Sequence, residues 1–128
     1  MTVEELWNNR MSKAAEAEGY VYREIKPPRP DVPTVEQCRK LCAQNLCGFY
    51  DSNWGCPPGV GSIGDVRRTL ALYPHTAVVY RRIEIDHDDK EGLKQLSNNH
   101  QNLLRNFNNV LRENGYRSLP LADGGCNY

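Results

Sequence analysis

The feature that most constrains this chain is a group of thiols packed into one short segment. The cysteines follow the spacing C-x3-C-x4-C-x8-C and stand at Cys38, Cys42, Cys47 and Cys56. Glycines lie within and after this spacing, and two prolines, Pro57 and Pro58, follow the last thiol, so the segment is rich in turn-forming residues. Such a segment closes disulfides, holds a metal or carries redox chemistry.

The disulfide interpretation agrees poorly with the rest of the sequence. A fifth cysteine, Cys126, stands alone near the C-terminus, and five thiols cannot pair completely within one chain. The N-terminus begins with acidic residues and lacks the basic start and apolar core of a secretory signal. We therefore expect a cytoplasmic protein, and structural disulfides are rare in that reducing compartment.

Size and charge limit the domain organisation and the partners. A chain of 128 residues supports one modest core, so we expect a single domain over residues 1–128. Its 16 basic and 16 acidic residues balance, so no overall field attracts nucleic acid or an anionic membrane. No stretch is long and apolar enough to span a bilayer. We expect neither nucleic acid nor a membrane as partner, and the oligomeric state stays open.

The N-terminal part of the sequence predicts a helix followed by a strand. The helix lies within residues 1–19, where Thr2 is the predicted N-cap, Glu5 completes a capping box, and Gly19 ends the helix. Residues 20–25 alternate and are rich in β-forming side chains, which is typical of a strand.

The cysteine-rich loop, residues 38–58, begins on a second predicted helix. Thr34 is the expected N-cap of that helix, and Gln37 completes a capping box. Cys38 and Cys42 are then one turn apart, which stacks the two thiols on one face.

The C-terminal half predicts the rest of an α+β fold. Ser62 with Asp65 indicates a capped helix, and residues 76–85 read as a strand. Apolar residues recur at helical spacing over residues 89–114, which indicates one long amphipathic helix. Residues 116–122 read as an extended segment that returns to the strand through a right-handed βαβ crossover. We therefore expect a small mixed sheet of about three strands.

The spacing of the thiols favours a metal, and an iron–sulfur cluster over zinc. Zinc sites usually present paired C-x2-C turns, which are absent from this sequence. Iron–sulfur clusters accept more varied spacing, and a cysteine followed by proline, as at Cys56 and Pro57, recurs in ferredoxin-type sequences. Zinc stays open as the alternative, and so does burial of the thiols as small apolar side chains.

Three other features suggest a functional site: a glycine-rich segment, a group of acidic residues around His87, and Cys56 as a nucleophile. Gly59–Gly64 matches G-x-G-x-x-G but does not follow a buried strand, so we interpret it as a turn. The acids at residues 86, 88 and 89 around His87 suit a hard cation, although capping of the following helix is favoured. No set of nucleophile, base and orienting group is evident; Cys56 as a nucleophile is the weakest hypothesis, and we expect no independent catalytic activity.

Several motifs of the cysteine-rich segment and of the C-terminal segment resemble those of a known family. Residues 47–58, C-G-F-Y-D-S-N-W-G-C-P-P, resemble the hallmark of the prokaryotic predicted metal-binding protein family, the domain of unknown function 2284. Cys38 and Cys42 are similar to the cysteines that precede this hallmark, and E-N-G-Y-R-S-L-P-L-A-D-G-G-C resembles the family's segment leading to a Gly-x-Cys motif. In the family that motif continues with further cysteines, whereas this sequence ends at Tyr128, so we expect the C-terminal cysteine-rich part to be lacking.

The resemblance implies metal binding, with no established reaction. We expect a cluster, of the 4Fe–4S type, in a redox or accessory protein that passes single electrons to an unidentified protein partner. The alternative is a zinc-stapled interaction module without catalysis. The expected ligands are Cys38, Cys42, Cys47 and Cys56, with Cys126 as a candidate fifth thiol.

Side chains around the thiols are expected to shield or stiffen the centre. Tyr50 and Trp54 flank the last thiols and would exclude water, although ordinary core packing explains them equally well. Pro57 and Pro58 stiffen the loop. His100 lies on the leucine stripe of the long helix, where a hydrogen-bonded core residue is more usual than a metal partner.

Overall fold

The computed structural model describes residues 1–52 and 54–122 of the chain. These residues combine helices with a two-stranded antiparallel sheet, so the predicted mixture of helices and strands is confirmed. They group into two compact units, one formed by residues 1–25 and 77–122 and the other by residues 26–76. The organisation as one domain over residues 1–128 stays a prediction.

The first unit begins with the predicted capped helix. Thr2 and Glu5 exchange hydrogen bonds between side chain and backbone at 3.0 and 3.1 Å, so the capping box is confirmed. The helix runs through α1 (Val3–Leu6), a π-helical segment (Trp7–Met11) and α2 (Ser12–Ala17). It ends at Gly19, whose φ of +85° lies in the left-handed region that glycine adopts without strain.

The core of the first unit lies between the N-terminal helix, the sheet and the long helix α5 (Lys90–Glu113). Trp7 stacks on Tyr22 at 5.4 Å between ring centroids and meets Phe107 edge-on at 5.2 Å. The core residues that are buried are Leu6, Trp7, Ala15, Tyr20, Phe107 and Leu111. The predicted amphipathic helix is therefore confirmed, and its apolar face supplies part of this core.

The sheet consists of β1 (Val21–Ile25) and β2 (Thr76–Tyr80), paired in antiparallel orientation. The predicted third strand at residues 116–122 is wrong: within the described part of the chain these residues form no strand, and β2 ends well before residue 85. The Tyr116 amide donates to the Leu111 carbonyl at 3.0 Å, and the Tyr116 hydroxyl donates to the Met1 carbonyl. The contact with Met1 holds Tyr116 at the N-terminus, and the described residues after α5 form no βαβ crossover.

The second unit carries two capped helices, α3 (Val32–Ala43) and α4 (Ile63–Ala71). The prediction of Thr34 as N-cap of α3 is wrong. The Asp31 side chain caps this helix instead, accepting from the Thr34 amide at 3.2 Å and from its hydroxyl at 2.6 Å. Pro33 then falls in the first turn, where its missing N–H costs no helical hydrogen bond.

Helix α4 begins with the predicted capping box. The Asp65 amide donates to the Ser62 hydroxyl at 3.1 Å, and the Ser62 amide donates to the Asp65 carboxylate at 3.2 Å. These hydrogen bonds to Ser62, with help from the nearby Arg68 guanidinium, lower the pKa of Asp65 below its usual value. Among the residues that the structure describes, no helix has the length and apolar character needed to cross a bilayer.

Candidate metal centre

Two of the predicted ligands lie on helix α3. Cys38 and Cys42 are one turn apart, and Cys42 is half-buried whereas Cys38 is exposed. Both are free thiols, as are Cys47 and Cys56 in the loop that follows. All four thiols belong to the second unit, so one compact part of the chain supplies them.

The loop after α3 is built from tight turns. The Asn45 amide donates to the Cys42 carbonyl at 2.9 Å, and the Asn45 side chain accepts from the Tyr50 amide at 3.1 Å. Asn45 and Asp51 both have a φ of +56°, and Gly48 has a φ of +81°. Asn and Asp tolerate the left-handed region better than other residues with a side chain, so this sequence suits repeated turns. The turns place Cys47 directly after the helix end rather than at the tip of an extended arm.

A backbone hydrogen bond closes the loop at its base. The Asp51 amide donates to the Pro57 carbonyl at 2.8 Å, so the chain returns on itself just after Cys56. The Val60 amide donates to the Cys56 carbonyl at 3.0 Å, which continues the turn structure toward α4. The peptide between Pro57 and Pro58 is cis.

Arg39 connects the helix to the far end of the loop. Its guanidinium donates to the Gly61 carbonyl at 2.6 Å in a partly buried hydrogen bond. Gly61 has a φ of +95° and leads directly into the capped start of α4, so the interpretation of the glycine-rich segment as a turn is supported here. Sequence reasoning missed Arg39, because nothing in its immediate neighbourhood identifies a carbonyl 22 residues away as its partner.

The four thiols are near one another along the chain but are not collected into a single-ion site. A tetrahedral zinc with Zn–S bonds of about 2.3 Å needs sulfur atoms roughly 3.8 Å apart. Within residues 1–52 and 54–122, no three thiols have their sulfurs within 4.8 Å of one another. The donor set nevertheless fits a soft metal centre, because four free thiols are the ligand type that iron–sulfur clusters and zinc use. Binding would then gather the thiolates, as it does in sites whose folding is coupled to metal binding.

The aromatic residues of the loop differ in how far they are buried. Tyr50 is half-buried, whereas the Trp54 side chain is 82% exposed and therefore excludes little water in this structure. Pro57 is half-buried and Pro58 is exposed. Large apolar side chains elsewhere in this region also face solvent, at Leu41, Leu46 and Phe49. The roles of Tyr50 and Trp54 around a metal stay predictions.

Two further candidates lie elsewhere. His100 on α5 stacks on the Tyr20 ring at 5.6 Å between centroids and is half-buried, which matches the core interpretation; its role near a metal stays a prediction. Cys126 lies outside the described residues.

An exposed acidic turn has metal-ligand spacing but also a structural explanation. Asp86, His87 and Asp88 place one ligand atom each within 4.8 Å of the others. The Asp88 amide donates to the Asp86 carboxylate at 3.0 Å, and Asp89 caps α5 by accepting from the Gly92 amide at 2.9 Å. The capping interpretation is therefore confirmed for Asp89, and the Asp86 carboxylate closes the preceding turn.

Comparison with known proteins identifies the family. No curated protein and no solved structure matches the chain at a significant level. The sequence profile of one family, described as predicted metal-binding protein (domain of unknown function 2284), matches residues 25–128. This match includes the whole cysteine-rich segment and most of the chain, so the chain belongs to the predicted metal-binding protein family.

Proposed function

We propose that the protein binds an iron–sulfur cluster of the 4Fe–4S type through Cys38, Cys42, Cys47 and Cys56. The observation that carries the proposal is that one compact unit supplies four free thiols, in a family whose description is metal binding. Two donors stand on a helix and two in a loop of tight turns, so the loop can adapt to the centre that it binds.

The spacing of the thiols supports a cluster over a single ion. A cluster has a larger inorganic core than one zinc ion, so its ligands need not converge as closely. Among the described residues no three sulfurs lie within 4.8 Å of one another, so either a cluster or a zinc ion would have to gather the thiolates on binding. Four thiolates complete the ligand set of such a cluster, and Cys126 is then a fifth thiol that the cluster does not require.

The cellular role that follows is single-electron transfer to a protein partner, or an accessory role in a redox pathway. A bound cluster supplies one-electron chemistry, and the thiols themselves supply ligation and set the environment of the cluster. Because a centre ligated by four thiolates requires reduced cysteines, we also infer a cytoplasmic location.

A zinc-stapled interaction module is the second candidate, and a specific observation favours it. Exposed apolar side chains lie on the same segment as the thiols, at Leu46, Phe49 and Trp54. A metal that only holds this loop would present them to a protein partner.

Metal content and the visible spectrum distinguish the two candidates. Anaerobically purified protein should contain iron and sulfide and show a broad visible absorbance that dithionite bleaches. Cys47→Ser and Cys56→Ser should each abolish metal retention, because an incomplete thiolate set loses both the bond and the folding energy coupled to it. Cys126→Ser is the matched control and should retain the centre.

Other results would decide against the cluster. A colourless protein that releases zinc when its thiols are blocked would support the interaction module instead. Normal metal content in both loop variants would rule out the proposed ligand set, and complete loss of metal in Cys126→Ser would show that the ligands include the C-terminal thiol.

A further inference from the structure

A groove in the second unit combines two arginines with an apolar surface. The proline-rich connector at residues 27–30 forms one wall, and the C-terminal end of α4 together with Tyr73 and Pro74 forms the other. The volume of the groove is about 310 Å³. Arg29 and Arg67 line it from opposite segments, and Leu70 contributes apolar surface.

Unlike Arg68, which follows Arg67 in the sequence, these two arginines form no ion pair within the described residues. Arg68 forms an ion pair with Asp65 one turn earlier on the same helix. Within residues 1–52 and 54–122, the side chains of Arg29 and Arg67 are exposed and have neither a carboxylate nor another hydrogen-bond partner. Two arginines of like charge therefore line one groove whose lining includes no acidic residue, which favours an anion there.

The backbone on both sides of the groove is held in place. Arg29 stands between Pro28 and Pro30, and the proline rings fix φ and carry no N–H. Arg67 is on α4, whose start is fixed by the capping box of Ser62 and Asp65. Because the backbone of both walls is already ordered, less conformational entropy is lost when a ligand binds.

We propose that this groove binds a small organic anion, with its phosphate or carboxylate group on Arg29 and Arg67 and its apolar body on Leu70 and the prolines. Guanidinium groups recognise both oxyanions through paired N–H donors, so the two anionic groups share one chemistry. The volume is at the small end of the range of ligand pockets, about 300–1,000 Å³, which fits a compact ligand better than a dinucleotide. The proposal goes beyond metal binding and uses none of the thiols.

The test is an NMR titration of the full chain with four probes: phenyl phosphate, benzoate, inorganic phosphate and benzyl alcohol. We expect phenyl phosphate or benzoate to shift the amide signals of residues 70, 71 and 73, and the stronger of the two identifies the preferred anionic group. Inorganic phosphate should bind more weakly because it lacks an apolar body, and benzyl alcohol should not bind because it lacks a charge.

Three variants make the assignment specific. Arg29→Gln and Arg67→Gln should each weaken binding about tenfold, since each removes a charge-assisted contact. Arg68→Gln is the matched control with the same loss of charge one residue away, and it should leave affinity unchanged. Equal weakening in Arg68→Gln, equal binding of benzyl alcohol or of inorganic phosphate, or no localised shifts with either organic anion would each overturn the proposal.

Discussion

The hydrogen bond from Arg39 to the Gly61 carbonyl is expected to hold the end of the cysteine-rich loop to helix α3. Replacing the side chain by methionine keeps its length and apolar stem but removes the donor. A hydrogen bond that involves a charged group contributes about 1.5–3 kcal/mol. Because this one is only partly buried, water can replace the donor at Gly61, and we take the lower value of about 1.5 kcal/mol.

Amide hydrogen exchange measures this loss locally. The Val60 and Gly61 amides donate to the Cys56 and Pro58 carbonyls at 3.0 and 3.1 Å, so their exchange reports opening of the loop end. A loss of about 1.5 kcal/mol corresponds to roughly tenfold faster exchange at both positions in Arg39→Met. The Tyr20 and Tyr116 amides belong to the first unit and should exchange unchanged.

Lys40→Met is the matched control, since Lys40 is the next residue on the same helix and is exposed. Both variants lose one positive charge and gain a thioether, but no hydrogen bond joins the Lys40 side chain to Gly61. If Arg39→Met left the Val60 and Gly61 amides unaffected, or if Lys40→Met accelerated them equally, the hydrogen bond would not hold the loop and the reasoning would be refuted.

Four further predictions concern stability. Ser62→Ala should destabilise the second unit by about 1 kcal/mol, measured by chemical denaturation, because it removes the N-cap of α4. The folded state lowers the pKa of Asp65, so the stabilising contribution of this carboxylate should be present above its unfolded pKa of about 3.9 and fade as the pH falls through the folded pKa. An acid titration that follows the amide signals of α4 would measure this loss. Phe107→Ala should lower the free energy of unfolding of the first unit by about 3–5 kcal/mol, measured by urea denaturation, whereas replacement of the exposed Leu93 on the same helix by alanine should have a much smaller effect. Burial, together with the Glu24 carboxylate, raises the pKa of Tyr22, so in an ultraviolet titration this hydroxyl should ionise only after the exposed tyrosines. The contribution of the neutral Tyr22 hydroxyl to stability should be present below about pH 10 and lost as the pH rises toward the folded pKa.

Local signals predicted much of the helical structure correctly. The capping boxes at Thr2 and Ser62 involve residues three apart, so the sequence itself contains both partners. The same reasoning failed at Thr34 because Asp31, three residues earlier, is also a good N-cap and allows Pro33 to occupy the first turn. A choice between two adequate caps depends on the path of the incoming chain, which the local sequence does not specify.

Long-range pairing could not be predicted in the same way. Residues 116–122 have the composition of an extended segment, but composition does not select a partner. Tyr116 finds its contacts at Leu111 and Met1, and the second of these is at the opposite end of the sequence.

The candidate metal centre also has one part that local sequence predicts and one part that it does not. The placement of Cys38 and Cys42 follows from helical spacing, whereas the contact of Arg39 with Gly61 requires the folded loop.

The distribution of the thiols indicates how the proposed centre would assemble. Cys38 and Cys42 are presented one turn apart by a helix, so their backbone positions are already fixed. Cys47 and Cys56 belong to a loop whose order comes from a few turn hydrogen bonds, including the one from Asp51 to Pro57. A few separate turn hydrogen bonds open at lower free energy than the cooperative hydrogen bonds of a helix of 12 residues such as α3, and metal-coupled folding draws on such weakly held elements. Metal binding would therefore order the loop against a helix that is already formed, so removal of the metal should loosen the loop amides before those of α3.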